Sequence, residues 1–225
     1  MQQANYDALG DVPAFEIAIT RLGRRCRVMR DIHRRTGTPP LRSFTPNFQG
    51  LSRVVVGQQL SAQSAAAIWA RVESAVRPFN ATTLTKTSDE VLKGAGLSAG
   101  KIKTLRALSH AVAGGSIRFA NLNRRADDDI RAALVGVHGI GPWMADIYLL
   151  FALKRADAFP SGDLALQIAT QRRFGLGDRP AAAALLEIAE RWRPWRGVAA
   201  HLLWADYALG HADAPPQAPP PKRSR

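Results

Sequence analysis

Two short stretches hold residue types at spacings that could do chemistry. In Leu134-Val-Gly-Val-His-Gly-Ile-Gly-Pro-Trp-Met-Ala145 a helix ends, Gly139-Ile140-Gly141 make a tight turn, and Pro142 starts a new helix with its ring in the first turn. A helix start points unpaired N–H groups outward and glycines let the backbone come close to a ligand, so such a turn can hold a phosphate; it can equally serve only to reverse the chain. The second stretch, Asp157-Ala-Phe-Pro-Ser-Gly-Asp163, places an acid 22 residues beyond Gly141 at the end of a Gly/Pro loop. Just ahead of Leu164, Asp163 is placed to cap a helix. A carboxylate there can also stabilise positive charge or deprotonate water, and the two roles can coexist.

Other chemistries are excluded early. A single cysteine, Cys26, leaves no disulfide framework, no four-cysteine zinc site and no iron-sulfur cluster held by four cysteines. Asp127, Asp128 and Asp129 precede Ile130, Ala133 and Leu134, where acids complement a helix dipole, so they read as a helix start and not as a metal site. Thirty-one Lys plus Arg against eighteen Asp plus Glu leave a net charge of +13 in 225 residues, which makes a polyanion the natural partner. No apolar run approaches the roughly 20 residues of a membrane helix and no signal-peptide core is visible, so a soluble cytoplasmic protein is expected.

The elements that must position these residues are helical. Apolar residues recur at helical spacing almost everywhere and period-2 alternation is missing, which predicts an all-α fold. Asp11 and Pro13 open a basic amphipathic helix carrying Phe15, Ile19 and Leu22 on one face and Arg21, Arg24, Arg25, Arg27 and Arg30 elsewhere; it ends at the Thr36-Gly-Thr-Pro-Pro40 seam. If that face contacts phosphates, affinity for a polyanion should fall steeply with salt. Phe48, Leu51, Val54 and Val55 form the next helix. Gly57-Gln58-Gln59-Leu60 then interrupts, Ser61 and Ser98 are expected N-caps, and Thr87-Ser88-Asp89-Glu90 reads as a further helix start. Asp178 and Pro180 open a later helix, and the last runs from Trp195 to Leu209 and closes at Gly210. Residues 211–225 hold five of the fourteen prolines and read as a disordered basic tail.

Taken together, Phe48-Gln-Gly-Leu with Gly57-Gln-Gln-Leu-Ser61, Gly139-Ile-Gly-Pro-Trp143, Phe159-Pro-Ser-Gly-Asp163 and Glu190-Arg-Trp-Arg-Pro-Trp-Arg196 resemble the helix-hairpin-helix (HhH-GPD) DNA glycosylase superfamily, and within it the DNA-3-methyladenine glycosylase II group. The resemblance spans residues 48 to 204 in the family's order. It implies a two-lobed fold with the active-site cleft between the lobes, residues 1–45 with 153–210 forming one and residues 46–152, with the hairpin, the other. Excision of alkylated purines of the 3-methyladenine and 7-methylguanine type from double-stranded DNA is the implied activity, with Asp163 as catalytic carboxylate. Trp143 and Trp204 are implied base-pocket residues, with Tyr148, about one and a half turns after Trp143, a further candidate that could equally be core; Gly139, Ile140 and Gly141 are an implied phosphate grip, and Gln58, Gln59 and Leu60 a wedge loop, with either Gln59 or Leu60 inserting. Trp192 and Trp195 are expected to be packing residues.

Trp143 stands where bifunctional relatives carry a lysine nucleophile, so the resemblance implies a monofunctional enzyme that leaves an abasic site. No cofactor is required and no iron-sulfur cluster is implied. Main-chain carbonyls of Val135, Val137 and Ile140 would bind Na+ or K+. His138, where a proline is frequent, is expected to be exposed, and the first 45 residues are too short and too helical for the β-containing domain of larger members. A monomer acting on the nucleoid is expected. The rivals are the same fold acting on deaminated or mismatched bases, and a non-catalytic hairpin module that only grips DNA.

Overall fold

The computed structural model describes Leu9 and residues 12–212; the expectations on Asp11 and on the tail from residue 213 onward lie outside the described residues. Among these there is no β-strand. The chain runs through α1 (Val12–Arg25), α2 (Arg27–Thr36), α3 (Phe48–Gly57), α4 (Ala62–Ala75), α5 (Ala81–Lys86), α6 (Asp89–Gly94), α7 (Ala99–Ala113), α8 (Phe119–Leu122), α9 (Asp127–Val135), α10 (Pro142–Ile147), α11 (Leu164–Phe174), α12 (Ala182–Ala189) and α13 (Arg196–Ala212). A π-helical segment, Tyr148–Ala152, prolongs α10.

Side-chain caps set several of the starts. Asn47, Ser61, Asn80, Ser88 and Ser98 each accept a hydrogen bond from the backbone N–H three residues on, and each such cap contributes about 1 kcal/mol. Two boundaries differ from the sequence reading. The basic first helix breaks at Cys26, which is extended (φ −132°, ψ 108°). The break lets α2 fold back on α1, where Gly23 is buried and an added Cβ would lie 3.4 Å from the Cβ of Arg30. At the other end, Gly210 does not close the last helix, which continues to Ala212.

The helices pack in two groups. In one, α1, α2 and α11 surround α13, with α12 against α11; in the other, α3 packs on α4, α7 and α10, with α5 and α6 against α7 and α9 against α10. Leu22, Met29, Ile32, Leu202 and Leu203 are fully buried in the first group and Leu51, Leu105, Leu108 and Leu134 in the second. Each such side chain contributes about 1.5–3 kcal/mol by leaving water. Two segments, 37–47 and 153–163, pass between the groups and carry Arg42, Phe44 and Asp163.

Candidate active site

The loop before α11 is held from behind. Arg196, 7% exposed at the start of α13, clamps Asp157 with one edge of its guanidinium, Nε to Oδ1 at 3.0 Å and Nη2 to Oδ2 at 2.9 Å, and its Nη1 donates to Glu190 at 2.8 Å. Such a fork fixes direction as well as distance. Gly197 then allows close approach: its N–H donates to the Ala156 carbonyl at 2.8 Å, and a Cβ there would meet that oxygen at 2.8 Å and the Leu150 side chain at 2.5 Å. A turn in which the Asp163 N–H donates to the Pro160 carbonyl at 2.9 Å delivers Asp163 to the N-terminus of α11.

There the Asp163 carboxylate accepts four N–H bonds. Oδ1 receives Ala165 N at 3.0 Å, Leu166 N at 3.2 Å and Trp204 Nε1 at 3.0 Å, and Oδ2 receives Trp143 Nε1 at 2.9 Å. Every partner is a donor, which matches a carboxylate with only acceptors to offer. The expected cap is therefore present, and two indoles from α10 and α13 converge on the same group. Asp163, Trp143 and Trp204 line a cleft of about 590 Å³ whose other walls come from Arg42, Phe44, α3, the turn at Gln59 and Leu60, α4, Ile147 and Phe151. Its size is that of a small-molecule site.

Other expected residues fall into place unevenly. Gln59 and Leu60 reach the cleft, exposed, with Gln59 in the left-handed region (φ 58°); Gln58, half-buried, does not line it. Tyr148 is not a pocket residue. It is fully buried, donates its hydroxyl to Asn123 Oδ1 at 2.9 Å, and packs on Phe119, because it keeps α-helical register with α10 and so lies about 1.4 turns on from Trp143, on the opposite face. Burial also pushes its phenol well above the ordinary tyrosine range, against the weaker opposing effect of that hydrogen bond. Trp192 and Trp195 are buried packing residues.

In the hairpin, Gly139 has φ +85°, and a Cβ would fall 2.0 Å from Thr104 Oγ1, so the fold itself demands glycine. Gly141, the N-cap of α10, would meet nothing within 4 Å, so the space beside it is open. Ile140 differs from the two glycines. Its side chain is buried and its N–H donates to the Val137 carbonyl at 3.0 Å, so it anchors the turn and has no free donor for DNA. Arg131 on α9 bonds Asp146 on α10 at 2.7 Å and joins the hairpin's two arms. His138 is exposed.

Sequence reasoning missed Arg42, Phe44, Phe151 and His201. The first three line the cleft, and the Arg42 guanidinium lies over the rings of Trp204 and Phe151, 5.6 and 5.8 Å from their centroids. His201 supports them from below: it donates Nδ1–H to the Gly197 carbonyl at 2.8 Å and meets Phe151 and Trp204 edge-on. Burial pushes its imidazole down to about 4; the bond to Gly197 opposes this, while Arg42 and Lys154 add to it. The Pro39-Pro40 seam was the available signal for Arg42, since clefts open where packed groups meet.

The pattern of the HhH-GPD superfamily of base excision DNA repair proteins matches residues 52–194, a span that contains the hairpin and Asp163. The chain belongs to this superfamily. It is 30% identical over 169 residues to DNA-3-methyladenine glycosylase 1 of Schizosaccharomyces pombe, covering 71% of this chain and 74% of that protein. It is 38% identical over 96 residues to a putative DNA-3-methyladenine glycosylase of Bacillus subtilis, 43% of this chain and only 33% of that one. In three dimensions it resembles the Schizosaccharomyces pombe 3-methyladenine DNA glycosylase in complex with abasic DNA, with TM-score 0.77, 26% identity and coverage of 84% and 95%. A DNA-3-methyladenine glycosidase from Bacillus halodurans superposes with TM-score 0.73, 28% identity and coverage of 87% and 91%.

Proposed function

We propose that this protein is a monofunctional DNA glycosylase that hydrolyses the N-glycosidic bond of alkylated purines in duplex DNA, opening their repair by base excision. The observation that carries the reading is the Asp163 carboxylate, held by two indoles and a helix N-terminus on the wall of a base-sized cleft. Similar proteins are named for 3-methyladenine, and one was seen on abasic DNA, the product such a reaction leaves.

A base stacked in the duplex is out of reach, so the nucleotide must rotate into the cleft, with Gln59 or Leu60 filling the gap. An alkylated purine already carries positive charge. When it leaves with the electron pair of the glycosidic bond it becomes neutral, and the charge passes to the sugar, where Asp163 stabilises it. Water then adds to C1′ and gives its proton to the carboxylate. No lysine lines the cleft among the described residues, which supports hydrolysis without a Schiff-base intermediate.

The N–H groups of Gly139 and Gly141 would hold a DNA phosphate, and the open space beside Gly141 supports that contact. Carbonyls of Val135, Val137 and Ile140 are neutral oxygen donors, a set that suits Na+ or K+, although Val137 already accepts from Ile140. An ion held there would add positive charge beside that phosphate.

The test is release of free base from methylated duplex DNA, followed by alkali. Free 7-methylguanine or 3-methyladenine, with strand breaks only after alkali, is expected. Strand breaks without alkali would overturn the monofunctional assignment. No release of alkylated base would overturn the substrate class, and a panel with hypoxanthine and mismatches would then separate another lesion from a module that only binds.

A further inference from the structure

Arg42 brings to the cleft a charge that the reaction above does not use. It lies outside the span matched by the superfamily pattern, yet its place is built. Its carbonyl accepts from Lys154 Nζ at 2.7 Å, and two residues on the Phe44 N–H donates to the Phe151 carbonyl at 3.0 Å, so the segment is pinned on both sides to the chain that follows α10. From there the guanidinium lies across Trp204 and Phe151, facing the same cleft as Asp163. Among the described residues no carboxylate and no other hydrogen-bond acceptor pairs with it.

A base entering this cleft therefore meets a planar fork of N–H donors in want of an acceptor. Purines differ at the position such a fork reads. A 6-oxo purine presents an oxygen with two lone pairs, whereas a 6-amino purine presents hydrogens at the same place and leaves the donors facing donors. In 7-methylguanine the contrast is sharper, because methylation at N7 eases loss of the N1 proton and moves negative charge onto O6. In 3-methyladenine the cation has no such oxygen, and its charge lies beside that of Arg42. A second guanidinium, Arg53, also lines the cleft and stacks on Phe44 at 5.5 Å, so Asp163 alone does not make the cleft attractive to every cation.

We infer that Arg42 is a specificity-determining residue that favours 6-oxo purines, the 7-methylguanine and hypoxanthine class, over 6-amino purines such as 3-methyladenine. The inference rests on the glycosylase reading above. Duplex DNA treated with dimethyl sulfate carries 7-methylguanine and 3-methyladenine together, so the initial rates of release of both bases can be read from one reaction. Any inactive fraction of a variant then cancels in their ratio. Arg42→Met should lower the ratio of 7-methylguanine to 3-methyladenine release about tenfold. Arg42→Lys, which keeps the charge and loses the fork, should fall between. A ratio within twofold of wild type in Arg42→Met overturns the inference. If the wild type releases neither base, the alkylated-purine reading fails, and binding of the two free bases, followed by tryptophan fluorescence, still decides the role of Arg42. Wild type must then bind 7-methylguanine more tightly and Arg42→Met must lose that preference; equal binding by the wild type overturns it.

Discussion

Replacing Asp163 by asparagine tests whether the site is assembled as described, independently of any substrate. The carboxylate accepts three N–H groups on Oδ1 and one on Oδ2. The single oxygen of asparagine retains most by taking the Oδ1 set, which turns its NH2 toward the Trp143 N–H, donor against donor. Losing one hydrogen bond to a charged group costs about 1.5–3 kcal/mol, and removing charge from a helix N-terminus adds about 0.3–1 kcal/mol. Because the side chain is half-buried, the lower part of that range applies, and Asp163→Asn should cost about 2 kcal/mol. In a Trp143→Phe background the opposing donor is gone, and the same change should cost about 1 kcal/mol less. Urea unfolding of the wild type, both single variants and the double variant gives the coupling directly, provided the slopes agree. Additive costs, with a coupling under about 0.3 kcal/mol, would refute the pairing of Trp143 with Asp163.

The hairpin glycines should part company. Gly139→Ala should destabilise by more than about 2 kcal/mol, from its left-handed backbone and the clash with Thr104, whereas Gly141→Ala should cost under about 1 kcal/mol and mainly weaken DNA binding, measured by fluorescence anisotropy. Tyr148→Phe should leave base release unchanged and cost about 1 kcal/mol in thermal or urea unfolding, since only the bond to Asn123 is lost. Stability should also fall in acid through His201. Its folded value is pushed down to about 4 from an ordinary value near 6.5, so the unfolded chain binds a proton the folded one refuses, and up to about 3 kcal/mol is lost as pH drops from 6.5 to 4. Unfolding curves at pH 7.5 and pH 5 should show about 2 kcal/mol of that loss in the wild type and much less of it in His201→Gln. An equal loss in both would remove His201 as the cause.

The helix cap at Asp163 and the hairpin turn were legible because their signals are local. Asp163 caps the helix it was expected to cap, and the need for glycine at 139 is written in one turn of chain. Trp143 and Trp204 were legible only through resemblance, since nothing in a tryptophan's own neighbours separates pocket from core. Tyr148 was readable from helical spacing itself: about 1.4 turns after Trp143 it falls on the opposite face of α10, which the structure turns into the core. The corner at Cys26 was hidden, as neither proline nor glycine occupies the break, and only packing of α2 on α1 explains it. Arg42 and Phe151 are 109 residues apart, and their meeting across the cleft depends on how the two groups of helices dock.

The most direct test of the central claim is the single-turnover rate of 7-methylguanine release by the wild type and by Asp163→Asn, with the affinity of each for duplex DNA measured alongside. A fall in rate of a thousandfold or more, with affinity within a few fold, is the result this account predicts. Release by Asp163→Asn at a rate close to that of the wild type would contradict it, and the catalytic group would have to be sought elsewhere in the cleft.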